Sequence, residues 1–296
     1  MREAVSPLPV HIETDGPFAG IATIMLEQPG KPVVVLDHGL IQRLEAAIVG
    51  LPREVTGVVL ASASERVFVA GADLKAIAEL SDAQLHAYLQ YGSKVFGMLS
   101  QLPVPTAAAI GGAALGGGLE LAMHCDALIG AAGAKPYPVG LPEAGLAICP
   151  GWGGTVLLPA RMEAGLAMEK TAKGEPLVFE KAKDAGMFDD LAISAGQLVT
   201  VAKGWIAKAR MRPLKRDGAP AKWIGRKGAE GVKALDFMKP ELMSTEPGRA
   251  VAMAIDAGLT RGWQAALEVE QRELVRLRNT PAGKAAIQAF FDKAKK

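Results

Sequence analysis

Two carboxylates stand where this sequence is otherwise nearly free of charge. Glu120 follows Gly116, Gly117 and Gly118 in PVPTAAAIGGAALGGGLELAMHC, and Glu143 sits in PVGLPEAGLAICPGWGG, flanked by apolar residues, Pro and Gly. Charged residues are rarely buried unless they are paired or functional. A carboxyl in apolar surroundings has its pKa raised toward the working range of a general acid or base. Two such groups could hold a water and deliver a proton across a double bond. Each could equally be a helix-terminal charge complementing a dipole.

The glycines offer the other half of a site. VFVAGADLK ends a strand at Ala70-Gly71-Ala72 and starts a helix at Asp73, and AAAIGGAALGGGLE repeats the design near Gly116 to Gly118. A helix N-terminus leaves N–H groups unpaired. Aimed at one point, such groups bind developing negative charge. Residues without side chains let a substrate carbonyl approach the backbone closely. Donors from two separate loops would make an oxyanion hole, although tight helix packing alone also uses small residues at such turns.

Other chemistries fail on spacing. No GxGxxG fits residues 111–118 or 151–154, and Gly118 and Leu119 stand where a P-loop needs Lys and Ser/Thr. Neither GxSxG nor HExxH occurs. His11, His38, His86 and His124 lie in unrelated contexts, and His124 reads as a satisfied core residue. Two cysteines, Cys125 and Cys149, form no CxxC, so neither a zinc nor a disulfide framework is expected, and a reducing, cytoplasmic setting is.

The elements that must carry these groups alternate. GIATIMLE (20–27), VVVLD (33–37), TGVVLASA (56–63), VFVAGAD (67–73), TAAAI (106–110) and ALIGAA (127–132) have strand character. LIQRLEAAIVGL and the stretch after Asp73 have helical spacing, and GLELAMHC starts a helix. This order predicts an α/β domain over residues 1–195 and a second, helical region over 196–296. Residues 203–233 are strongly basic and broken by Pro and Gly, which reads as a solvated, partly irregular connection, or as a surface for a polyanion or a neighbouring subunit. Three helices close the chain from about residue 244.

The 296 residues are half hydrophobic with a net charge of +2, so a full core is affordable and neither nucleic acid nor a membrane surface is implied as partner. The N-terminus lacks a secretory pattern. The 18 uncharged residues from Leu102 to Leu119 reach the length of a membrane span, but five glycines, two prolines and the glutamate that follows argue for a buried strand, loop and helix.

In VFVAGADLK, PVPTAAAIGGAALGGGLELAMHCDALIGA and GLPEAGLAICPGWGGTVLLPARM, taken in that order, the chain resembles the crotonase superfamily of enoyl-CoA hydratases and isomerases. FEKAKDAGMFDDLAI and GIATIMLEQPG resemble its later and first segments. The resemblance implies a spiral of ββα units with C-terminal helices that assemble trimers, often paired into hexamers, and a CoA thioester as substrate with no separate cofactor or metal. It places the thioester oxygen between the N–H groups of Ala72 and Gly117. Glu120 and Glu143 match the two catalytic carboxylates of hydratases, which add water syn to a trans-2-enoyl-CoA in acyl-CoA breakdown. Glu143 is then the source of the α-proton. Isomerases usually keep the carboxylate at the Glu143 position and often lack the other, so having both favours hydration. Isomerisation and a non-catalytic acyl-CoA-binding subunit are the alternatives.

The resemblance further assigns Ala70, Gly71, Asp73, Lys75 and Gly116 to the CoA and substrate site, with Trp152 as a wall. It brings Phe290 and Lys293 to the CoA of another subunit. The C-terminal part is similar to the hydratase half of multifunctional β-oxidation proteins. No dehydrogenase half follows Lys296, so that second activity is not expected. Val156-Leu157 replaces a usual Gln-Arg, and KPVVVLD departs from the usual adenine-side segment.

Overall fold

A computed structural model of the chain describes residues 5–31 and 33–294. Ten strands divide between two sheets. They are β1 (Val10–Ile12), β2 (Ile21–Leu26), β3 (Gly57–Ser62), β4 (Val67–Val69), β5 (Thr106–Ile110), β6 (Ala113–Leu115), β7 (Ala127–Ala131), β8 (Pro138–Gly140), β9 (Leu177–Val178) and β10 (Asp190–Ala192). The larger sheet runs β1-β2-β3-β5-β7-β10 and the smaller β4-β6-β8-β9. Consecutive strands β3/β4, β5/β6 and β7/β8 therefore alternate between the sheets, and each turn of the spiral advances both. Apart from the antiparallel β1–β2 and β8–β9 pairs, neighbours are parallel.

Twelve α-helices, with short 3-10 turns between some of the elements, complete the described residues: α1 (His38–Val49), α2 (Leu74–Glu79), α3 (Asp82–Gln101), α4 (Gly117–Met123), α5 (Gly154–Leu157), α6 (Ala164–Lys173), α7 (Phe179–Asp184), α8 (Leu198–Ala209), α9 (Ala229–Leu242), α10 (Glu246–Arg261), α11 (Trp263–Arg278) and α12 (Pro281–Ala294). The central strands are buried on both faces, which explains their unbroken apolar runs. Val58, Leu60, Ala108, Ile110 and Leu128 face the main core. Val59, Ala61, Ala107, Ala109 and Ile129 face a second core that α8 covers with Leu198, Ala202 and Ile206.

Small residues let layers approach. A Cβ on Gly118 would lie 2.4 Å from the Val69 carbonyl oxygen, so α4 sits directly on β4. Because that neighbour is backbone, it cannot swing aside. We expect Gly118→Ala to destabilise the fold by about 1–3 kcal/mol through overpacking, read as a lowered Tm; an unchanged melt would refute this close packing.

One expectation needs correction. VVVLD forms no strand: Leu36 makes a single parallel bridge to Ala72, and Asp37 turns to cap α1 by accepting from Leu40 N at 2.7 Å. The basic stretch is partly irregular, as its Pro and Gly residues suggested, over residues 210–223. Its first part lies in α8, and α9 opens within it. Arg216 grips Asp126 with two nitrogens, at 2.7 and 2.8 Å, and also donates to the Leu102 and Val104 carbonyls. Lys203 pairs with Glu13, Lys222 with Asp189 and Arg226 with Asp217. Arg216, Lys203 and Lys222 thus tie the segment to residues outside it, while Arg226 and Asp217 pair within it. Both cysteines are free and buried. No helix among the described residues is long and apolar enough to cross a membrane.

Candidate active site

The two glycine turns meet at one cavity of about 380 Å³. Ala70, Gly71 and Ala72 line it from the turn between β4 and α2, and Leu115, Gly116 and Gly117 from the turn between β6 and α4. Gly71 has φ +126°, and a Cβ there would stand 3.2 Å from the Leu115 carbonyl oxygen, so the turns nearly touch. Gly116, at φ +51° and ψ −127°, takes a backbone few other residues adopt. Leu36 N donates to Gly71 O and Asp73 N to Leu36 O, a pattern that leaves the Ala72 amide unused. Gly117 opens α4, so its amide has no partner within the helix. Among the described residues, neither the Ala72 nor the Gly117 amide donates to another group of the chain.

Both carboxylates of the sequence reading line this cavity. Glu120 is 1% exposed and lies on the first turn of α4. Its Oε1 accepts from the Trp152 and Gly154 amides, each at 2.8 Å. Burial pushes this carboxyl well above its usual range, the charges of Glu143 and Glu270 push further, and the two amides pull back. Glu143 begins a short 3-10 turn, Glu143–Leu146, whose following residue Ala147 has a positive φ of 54°. The Glu143 Oε2 is buried without a hydrogen-bond partner among the described residues. Its Oε1 lies over Gly116, where a Cβ would come within 2.5 Å. Burial pushes the Glu143 carboxyl up to about 8.

Trp152 is both wall and core. It is 1% exposed, lines the cavity and donates its indole N–H to the Leu89 carbonyl at 2.9 Å. A Cβ on Gly117 would strike its ring at 2.4 Å, which explains why glycine stands there. His124 is a core residue, as its context suggested: its Nε2 meets the Trp152 carbonyl at 3.1 Å, and burial lowers its pKa to about 4.

The remaining assignments separate. Phe290 lines the cavity of its own chain, because α12 folds back over the Glu143–Leu146 turn and α2. This differs from the expectation that Phe290 reaches another subunit. Asp73 caps α2 by accepting from Lys75 N and Ala76 N, and does not line the cavity. Lys75 is solvent-exposed beside Glu79, 4.0 Å away, and Lys293 is exposed near the end of α12; neither lines the cavity.

Sequence reasoning missed Glu270. It lies on α11, fully buried, and accepts from the Gly153 amide at 2.6 Å, the Thr155 amide at 2.8 Å and the Thr155 hydroxyl. Burial raises it to about 7 against those bonds. The available signal was its place in the stripe Ala266, Leu267, Glu270, Leu274, Leu277, where helical spacing calls for an apolar residue. Among the described residues, no cluster of three or more His, Cys, Asp or Glu is arranged to hold a metal ion.

Comparison with known proteins agrees with this architecture. Residues 17–214 match the family model described as enoyl-CoA hydratase/isomerase. The fold is similar to human mitochondrial delta3-delta2-enoyl-CoA isomerase, with a TM-score of 0.69, 22% identity, and 97% of this chain and 98% of that one covered. It is similar to an enoyl-CoA hydratase from Bacillus anthracis, with a TM-score of 0.59, 27% identity and 93% of each chain covered. It is also similar to an enoyl-CoA hydratase from Bacillus halodurans, with a TM-score of 0.66, 21% identity, and 95% of this chain and 99% of that one covered. The matched segment contains both glycine turns and both cavity glutamates, and with its alternating two-sheet spiral the chain belongs to the enoyl-CoA hydratase/isomerase family of the crotonase superfamily.

Proposed function

We propose that the chain is an enoyl-CoA hydratase that adds water syn to a trans-2-enoyl-CoA. One observation carries this reading. Two carboxyls of unlike environment, Glu143 with a buried, unpartnered oxygen and the fully buried Glu120 held by amides, line a single apolar cavity with two unused backbone N–H groups. The thioester oxygen sits between the Ala72 and Gly117 amides, which stabilise the enolate as it forms. One such donor is worth about 3–4 kcal/mol of transition-state stabilisation. Glu120, with Oε1 occupied, holds a water by its other oxygen. It takes one proton from that water while the hydroxyl bonds to the β-carbon. Glu143 delivers its proton to the α-carbon, and exchange with solvent water returns both glutamates to their starting states. Ala70, Gly71, Gly116, Trp152 and Phe290 shape the acyl and thioester region, while the exposed side chains of Lys75 and Lys293 are available to the phosphates of CoA.

Isomerisation is the second reading. It needs only one carboxyl to shuttle a proton, and retention of Glu120 favours hydration over it. Crotonyl-CoA and a 3-enoyl-CoA, assayed side by side by enoyl absorbance, separate the two. Loss of the crotonyl-CoA band on adding protein supports hydration. Conversion of the 3-enoyl substrate alone overturns it. As part of the same proposal the chain assembles as a trimer or hexamer, which mass measurement in solution tests.

A further inference from the structure

The turn Gly151–Thr155 is clamped between two carboxylates. Its amides alternate in direction: those of Trp152 and Gly154 donate to Glu120 Oε1, and those of Gly153 and Thr155 donate to the two oxygens of Glu270. The Thr155 hydroxyl adds a third donor to Glu270. The same turn is fixed at the Trp152 carbonyl by His124, 3.1 Å away, and at the Trp152 indole by the Leu89 carbonyl. Glu270 is fully buried and does not line the cavity.

A strip of peptides held from both faces has no free rotation. If the Glu270 side lets go, the amides of 153 and 155 lose acceptors in a dry interior, and the turn shifts to find others. That shift moves the two amides on which Glu120 Oε1 rests. The effect on Glu120 is electrostatic as well. Glu120, Glu143 and Glu270 are all raised by burial, and no lysine or arginine pairs with any of them among the described residues. The Cys149 thiol lies against the backbone of the same helix, its Sγ 3.6 Å from the Glu270 carbonyl.

The geometry points to Glu270 as a positioning residue for Glu120: by anchoring the far face of the Gly151–Thr155 turn, it sets the orientation of the catalytic carboxylate. This rests on the reading of Glu120 as catalytic. Placement errors of about 1 Å at a reacting group cost up to about a hundredfold in rate. Glu270→Gln keeps the shape but presents an N–H₂ group to an amide that needs an acceptor.

The full chain carrying Glu270→Gln is compared with wild type in two ways. The first is kcat and KM for crotonyl-CoA across pH. The second is titration of the Glu120 carboxyl by carbon-13 NMR on glutamate-labelled protein, assigned with Glu120→Gln, which needs no turnover. The expected result is a kcat lowered by about tenfold or more with KM within about twofold, and a displaced Glu120 titration. A folded variant whose loss is confined to Tm, with either kcat or the Glu120 titration unchanged, overturns the proposal. If Glu270→Gln does not fold, Thr155→Val removes only the hydroxyl bond and is expected to shift both readouts in the same direction. If wild type hydrates no enoyl-CoA, the hydratase reading fails by itself, and the NMR titration alone decides whether Glu270 sets the state of Glu120.

Discussion

Glu120→Gln is expected to lower kcat for hydration of crotonyl-CoA by about a thousandfold, while leaving the fold and the binding of CoA thioesters nearly intact. The expectation follows from what each oxygen does. Oε1 accepts from the Trp152 and Gly154 amides, and the amide oxygen of Gln can do the same. The turn therefore stays in place. What is lost is a carboxylate able to take a proton from water. Glu120→Ala is a poorer test, because it strands two buried amides and adds a stability cost of about 1–3 kcal/mol for each. The same Glu120→Gln protein also separates the two reactions the family supports. Isomerisation through Glu143 alone should survive in it, whereas hydration should not. A Glu120→Gln enzyme that still hydrates crotonyl-CoA at the wild-type rate removes Glu120 from the mechanism.

Glu120 and Glu143 were readable because each is a lone charge in a long apolar run, and no surface helix looks like that. Glu270 was hidden by its neighbours. Glu268, Arg272 and Glu273 make α11 look like a solvated face, and only the spacing of Leu267 and Leu274 shows that Glu270 points inward. The paired strands of the core were legible from their buried β-rich runs. VVVLD was not, because β propensity describes a segment and not the neighbour it lacks. Leu36 finds one bridge, and Asp37 then caps a helix. Helix α9 was masked by the density of Lys and Arg around it, and the ion pairs Arg216–Asp126 and Lys222–Asp189 join residues too distant in sequence for local patterning to reveal. Phe290 shows the same limit: its amphipathic helix is evident, but the surface that the helix folds back onto is set by tertiary packing.

Glu143→Gln is expected to abolish turnover and, at the same time, to stabilise the protein in a pH-dependent way. Its activity should fall by about a thousandfold or more, since an amide has no proton to transfer to the α-carbon. The stability effect follows from linkage. In the folded chain burial holds the Glu143 carboxyl at about 8, against the ordinary glutamate value of 4.5. The native state therefore keeps its proton where the unfolded chain releases it. This carboxyl contributes no instability below about pH 4.5, and between there and about pH 8 it costs the wild type progressively more as pH rises. Glutamine does not titrate, so the variant escapes that cost. Near pH 4.5, where the titration gain vanishes, the variant should melt no higher than the wild type, because its amide hydrogens are unpaired. By pH 8 the variant should be more stable by on the order of 2–4 kcal/mol, since each pKa unit is worth about 1.4 kcal/mol and some of the gain is lost to unpaired amide hydrogens. Paired melts of Glu143→Gln and wild type from pH 4.5 to 8, with kcat measured on the same samples, check both halves. A gap in Tm that stays constant across that range would mean the carboxyl is already ionised in the fold, and Glu143 could not then be the acid that protonates the substrate.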